Sequence, residues 1–178
     1  MIMNSEIAGR SEAELHYVLC VANMEGAQRL CRDMIGGGFP ATFSHATVII
    51  SLVHHGVELF LKYAICKTGN KAPTHHYIRG LLREYDLAYP DENFRLNLPF
   101  VTQFLGYSEE EIKKLVKEEE QDKNRTDQMG RYHCDRTGQP WEGIQAFIPA
   151  PFLTEVDFLA SKFAALRTRI EKDCQHAA

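Results

Sequence analysis

The sequence lacks the short motifs by which many enzyme classes are recognised. It contains no Cys-x-x-Cys pair, no Gly-x-Ser-x-Gly turn, and no Gly-Lys-Ser or Gly-Lys-Thr after its glycine triplet at residues 36–38. Those motifs build thiol or metal centres, exposed serine nucleophiles and phosphate-cradling loops, respectively. The sequence therefore gives no support for covalent catalysis or for a phosphate-binding loop of that type.

A dominant charge of one sign is also lacking. Lys and Arg number 20 against 24 Asp and Glu, which gives a formal net charge of −4. This balance provides no overall attraction to nucleic acid or to an anionic membrane, although it leaves room for a local basic patch. Hydrophobic residues at 44% and charged residues at 25% are typical of a globular protein and exclude a disordered chain. A length of 178 residues predicts one domain over residues 1–178.

Long apolar runs are missing as well. The longest run, at residues 46–53, is interrupted by Thr47 and Ser51, so we expect no contact with a membrane. The first ten residues lack the apolar stretch of a secretory signal. The five cysteines are an odd number and are widely scattered, a pattern that favours free thiols in a reducing compartment. We therefore predict a cytoplasmic protein.

What the sequence does contain is helical periodicity, because apolar residues recur at steps of three and four. The first helix is predicted between a Ser11-x-x-Glu14 capping box and the glycine triplet. Further helices are predicted at about residues 44–68, 75–88 and 151–172, with a short interrupted helix at 91–105 and a charged one at 108–123. Glycine and proline recur at residues 124–149, which favours an irregular or hairpin insertion. The predicted fold is all-α, an antiparallel four- to five-helix bundle with this short insertion before the last helix.

A row of polar residues interrupts the otherwise apolar second helix. Its members fall at intervals of seven, four, three and four residues: Ser44, Ser51, His55, Glu58 and Lys62. The row has two interpretations. It is either a ligand-binding or acid/base stripe, or a set of hydrogen bonds within the helix in which Glu58 and Lys62 form an i, i+4 ion pair. A small-molecule site between helices two and three would be lined by His55, Glu58, His75 and Arg79.

Zinc could be bound by His54 and Glu58 together with His75 or His76, which are ligand types that zinc accepts. These residues do not follow the His-Glu-x-x-His spacing or a comparable one, and ligand sets scattered in this way arise easily by chance. We therefore predict no metal site and no cofactor.

Basic and aromatic side chains alternate in the insertion, directly after an acidic stretch at residues 109–122. The side chains concerned are Arg131, Tyr132, His133, Arg136 and Trp141. Such a mixture can hold phosphates and stack bases. The alternative is that Tyr132 and Trp141 anchor the insertion to the bundle while the arginines remain solvated.

Two stretches resemble HEPN domains (higher eukaryotes and prokaryotes nucleotide-binding). Residues 54–82 resemble the second and third helices of that family, with Glu58-x-x-x-Lys62 in an apolar helix, then Gly69, then Thr74-His75. Arg131-Tyr132, followed by Asp135 and Gly138, resembles the Arg-Tyr-Pro and Asp-x-x-Gly stretch before the last helix, with His133 in place of the proline.

The resemblance implies an antiparallel helical bundle that often dimerises. Some family members are metal-independent ribonucleases with an Arg-x4–6-His motif, and others bind RNA or nucleotides or serve as structural modules. Seven residues separate Arg125 from His133 here, one more than the motif allows. We therefore predict a non-catalytic or divergent module, acting as a homodimer and associated with RNA, a nucleotide or a partner protein. Two alternatives stay open: a toxin-like endoribonuclease that uses Arg125 or Arg131 with His133, and a small-molecule-binding bundle with a His/Glu-lined cleft.

Overall fold

The computed structural model describes residues 8–98 and 147–176, of which 75% are helical. The helices are α1 (Glu12–Ile35), α2 (Phe43–Lys67), α3 (Ile78–Ala88) and α4 (Pro149–His176), and one 3-10 turn spans Glu92–Phe94. No β-strand occurs within the described residues. The prediction of an all-α helical bundle is therefore confirmed.

The first helix begins and ends where the sequence predicts. The Ser11 hydroxyl accepts a hydrogen bond from the Glu14 backbone N–H at 3.3 Å, and Gly37 takes a positive φ of 79° just beyond the helix. The second half of the predicted capping box does not form as expected. The Glu14 carboxylate instead contacts Lys67 Nζ and Arg167 Nη2, each at 3.1 Å, because two cations from other helices lie within its reach.

These ion pairs establish the directions of three helices. Glu14, at the start of α1, lies beside Lys67 at the end of α2 and beside Arg167 in the second half of α4. Near the end of α1, Arg32 contacts Asp157 near the start of α4 at 3.1 Å. Helix α1 therefore runs antiparallel to both α2 and α4.

The core of the bundle is built around α2, which packs against α1, α3 and α4. The Phe60 ring stacks on Phe163 of α4 with centroids 4.1 Å apart and lies 6.4 Å from Tyr85 of α3. The apolar positions of α4 are buried in this core: Val156, Leu159, Phe163, Leu166 and Ile170. The regular apolar row of the last helix thus holds the bundle together.

Helix α2 has the length and apolar composition of a membrane-crossing helix, as the central helices of soluble bundles also do. In its most apolar stretch, 67% of the residues are buried inside the protein. Packing within the bundle is therefore sufficient to account for its composition.

The chain after α3 differs from the prediction. A helix is expected over residues 91–105, but only the turn Glu92–Phe94 is helical within the described part of that range. Phe94, Leu96 and Leu98 are buried while Arg95 and Asn97 are exposed. Such alternation is typical of extended backbone, in which successive side chains point to opposite sides. Every second side chain here is apolar and faces the core. The charged helix predicted at 108–123 lies outside the described residues, and so does the insertion as far as residue 146.

Candidate functional site

A buried carboxylate on α2 is the most unusual group of the described structure. Glu58 is only 2% exposed, and its Oε1 lies 3.0 Å from Lys62 Nζ and 2.8 Å from His76 Nδ1. Its Oε2 lies 3.6 Å from His55 Nδ1, which is longer than a hydrogen bond. We call His55, Glu58, Lys62 and His76 the Glu58 cluster.

Three members of the Glu58 cluster come together through helix geometry alone. Residues three and four apart lie on the same helix face, so His55 and Lys62 flank Glu58 from either side. The ion-pair interpretation of the polar row is confirmed for Glu58 and Lys62. The fourth member comes from a different part of the chain, because residues 68–77 return along α2 and bring His76 beside Glu58.

The polar contacts of Glu58 control its ionisation. Burial by itself raises the pKa of the Glu58 carboxyl, but the contacts with His55, Lys62 and His76 outweigh burial and lower that pKa from 4.5 to about 2. The carboxylate is therefore charged at neutral pH. The Lys62 ammonium balances that charge within the same buried space, which reduces the cost of removing both groups from water.

The neighbouring His75 has a separate carboxylate partner. Its Nε2 lies 3.0 Å from Glu84 Oε1 of α3, because consecutive side chains of a non-helical segment point in different directions. A Cβ at Gly80 would lie 3.0 Å from both the His75 and the Tyr77 ring. The glycine thus leaves the space in which these two rings lie over the first turn of α3.

The two histidines directly precede the N terminus of α3. The side chain of the N-cap residue, Tyr77, makes no capping hydrogen bond. The N–H groups of the first turn and the helix dipole favour a negative charge at such a position. Arg79, which is half-buried, adds a permanent cation in this turn.

A further histidine approaches the Glu58 cluster from α1. Burial lowers the pKa of His16, while Glu12, with Oε1 4.0 Å from His16 Nε2, acts in the opposite direction. The charges of Lys62, Glu58 and His55 have smaller effects on the pKa of His16. Its Nε2 is buried and makes no hydrogen bond with the described part of the chain.

The predicted small-molecule site is thus partly assembled. His55 and Glu58 lie together and Arg79 stands at the start of α3, but His75 contacts Glu84 and not Glu58. His76 occupies the place expected for His75. The His-His dipeptide is the sequence signal for this exchange, because only one of two consecutive side chains can face α2. No spacing motif in the sequence marks Glu84, Gly80 or His16: the first two meet His75 through the turn into α3, and His16 comes from α1.

The other predicted site residues lie outside the described part of the chain. These are Arg125, Arg131, Tyr132, His133, Arg136 and Trp141. The basic site and the ribonuclease alternative therefore stay predictions. Within residues 8–98 and 147–176, no group of three or more His, Cys, Asp or Glu side chains is arranged to hold a metal ion.

No known protein family, no curated protein and no solved structure matches this chain.

Proposed function

We propose that this chain is a non-catalytic or divergent HEPN-like module that binds RNA or a nucleotide where the Glu58 cluster meets the N terminus of α3. The observation that carries the proposal is a pair of exposed imidazoles, each held by a carboxylate of a different helix. His76 is held by Glu58 and His75 by Glu84, so both rings have a defined orientation at the start of α3.

Phosphate recognition is supported by the first turn of α3. A helix N terminus without a side-chain cap offers backbone N–H donors to an anion, and Arg79 lies in the same turn. Lys62 is paired with Glu58 and is largely buried, so it contributes little to the attraction of a ligand. The phosphate would therefore interact chiefly with the α3 N terminus and Arg79.

Self-association is the second part of the proposal and follows from the resemblance to HEPN domains, whose members often dimerise. We propose that the chain forms a homodimer; the alternative is that it associates with a different protein. Sedimentation velocity of the purified protein tests this, since a dimer has twice the chain mass of 20.3 kDa. A single boundary at the chain mass over a wide concentration range would overturn it.

Titration of a fluorescent single-stranded RNA, followed by anisotropy, tests the binding proposal. We expect affinity that falls as salt rises, since phosphate contacts release counterions. Arg79→Ala should weaken binding by about tenfold, as for the loss of one charged hydrogen bond. Arg29→Ala is the matched control, because it removes the same charge from an exposed site on α1 and should leave affinity unchanged. Equal affinities for the two variants, or no binding at all, would refute the proposed site.

A further inference from the structure

The hydrogen position on His76 follows from the chemistry of its partner. An ionised carboxylate can only accept hydrogen bonds, and Glu58 Oε1 lies 2.8 Å from His76 Nδ1. The short contact therefore requires that Nδ1 carry the hydrogen and donate it to Glu58. Since Lys62 already balances the charge of Glu58, this contact does not require a protonated imidazole.

In the neutral ring, the other nitrogen then carries a lone pair. A neutral imidazole has one donor and one acceptor nitrogen, so Nε2 of His76 is the acceptor. The His76 side chain is 56% exposed, whereas that of Glu58 is only 3% exposed. The buried carboxylate thus fixes a tautomer in which an exposed side chain offers a hydrogen-bond acceptor to a ligand.

We propose that His76 is a specificity-determining residue whose Nε2 accepts a hydrogen bond from a ribose hydroxyl, and that Glu58 is its positioning residue. This inference rests on the proposed function, in which the phosphate of the same ligand lies at the α3 N terminus. A fully ionised phosphate has no hydrogen to donate, whereas ribose hydroxyls can donate and distinguish RNA from DNA. The surface therefore prefers ribonucleotides to nucleotides without ribose hydroxyls.

The ribose can belong to a mononucleotide or to an RNA strand, and the binding experiment distinguishes these sources. Calorimetry compares adenosine monophosphate with its 2′,3′-dideoxy form, and a short single-stranded RNA with DNA of the same sequence. For at least one pair we expect about tenfold tighter binding of the hydroxyl-bearing member, which is the value of one hydrogen bond. Preference in the first pair indicates a mononucleotide site, and preference in the second pair alone indicates a strand.

Variants separate the role of His76 from a general loss of binding. His76→Ala should abolish the preference for ribose while binding of the hydroxyl-free member persists. His45→Ala is the control, since this ring contacts Thr42 and Phe39 at the far end of α2, and it should keep the preference. Equal binding of both members by the unaltered protein would overturn this inference alone. Absence of binding by every probe would overturn the proposed function as well.

The positioning role of Glu58 has its own readout. Nitrogen-15 NMR of the histidine rings should show His76 with its hydrogen on Nδ1 in the unaltered protein. The double variant Glu58→Gln with Lys62→Met, which removes both charges of the buried pair, should show a mixture of tautomers and a reduced ribose preference. A hydrogen on Nε2 in the unaltered protein, or an unchanged preference in a folded double variant, would contradict the role assigned to Glu58.

Discussion

At the scale of single residues, Glu58 is the position where stability and the proposed ligand recognition meet. A charged pair buried in a bundle is commonly no more stabilising than apolar side chains of the same size. The pair of Glu58 and Lys62 is thus explained more readily by the proposed positioning of His76 by Glu58 than by its effect on stability. Removing one partner alone should nevertheless be costly, because the other charge is then left buried and unpaired.

Glu58→Gln should lower the free energy of unfolding by about 3 kcal/mol, since Lys62 loses its buried counter-charge. Urea denaturation followed by circular dichroism measures this change. Glu25→Gln, an exposed position on α1, should change stability by less than about 0.5 kcal/mol. Adding Lys62→Met to Glu58→Gln should restore most of the loss. A Glu58→Gln protein as stable as the Glu25→Gln control would contradict this prediction, because it would show that Lys62 loses no stabilising interaction when the charge of Glu58 is removed.

The lowered pKa of the same carboxyl predicts that part of the stability of the protein is lost in acid. The pKa of Glu58 is lowered from 4.5 to about 2 in the folded protein, so its contribution to stability is complete above pH 4.5. That contribution is lost as the pH falls towards 2, because the unfolded chain takes up the proton first. The full loss, reached below pH 2, amounts to about 3 kcal/mol, and about 2 kcal/mol of it has occurred by pH 3. Denaturation series at pH 6 and pH 3 measure this part of the loss, and the double variant Glu58→Gln with Lys62→Met should lack it.

At the scale of elements, the close approach of α1 and α2 depends on a glycine. A Cβ at Gly56 would lie 2.9 Å from Met24 Sδ and 3.5 Å from the Cys20 carbonyl oxygen of α1. Met24 is itself buried, so its side chain has little space into which to move. Gly26, on the facing helix, would place a Cβ 3.6 Å from Leu52 Cδ1, which is ordinary contact.

These two glycines give a matched pair of variants with opposite expected effects. Gly56→Ala should destabilise the protein by about 1 kcal/mol or more, because overpacking outweighs the gain in helix propensity. Gly26→Ala should stabilise it by about 0.5 kcal/mol through the reduced entropy of the unfolded chain. Thermal unfolding of both variants measures the difference. A higher melting temperature for Gly56→Ala would mean that α1 and α2 are less tightly packed than the structure shows.

The elements also show which local features the sequence could predict. Ser11 and the glycine triplet locate both ends of α1, and the apolar row from Val156 to Ile170 locates the inner face of α4. The ends of α1 and the inner face of α4 are predictable because each is determined by residues that are close in sequence. The sequence does not predict the extended backbone before Leu98, because three alternating apolar residues are a weak signal beside the longer helical patterns.

At the scale of the whole molecule, the candidate site depends on contacts that no local pattern encodes. The Glu58 and Lys62 pair was predictable from helical spacing, whereas the choice between His75 and His76 depends on how residues 68–77 return to α2. Likewise, Glu14 holds a local capping position, but its carboxylate takes partners from α2 and α4. Sequence periodicity thus predicted the bundle, and tertiary contacts determine which polar groups meet.

The overall charge of −4 adds a constraint on any nucleic-acid ligand. An acidic protein repels a polyanion at long range, so binding must depend on a few directed contacts and not on the general field. Association should therefore be specific in location, confined to the Glu58 cluster and the α3 N terminus, and this localisation is the central claim.

Titration of the isotope-labelled protein with single-stranded RNA, followed by two-dimensional proton–nitrogen NMR, tests that claim most directly. We predict saturable shifts of backbone signals concentrated at residues 54–62 and 74–80, with the signals of α1 and α4 nearly unchanged. Shifts concentrated elsewhere in the chain, or spectra unaltered by RNA at millimolar concentration, would contradict it.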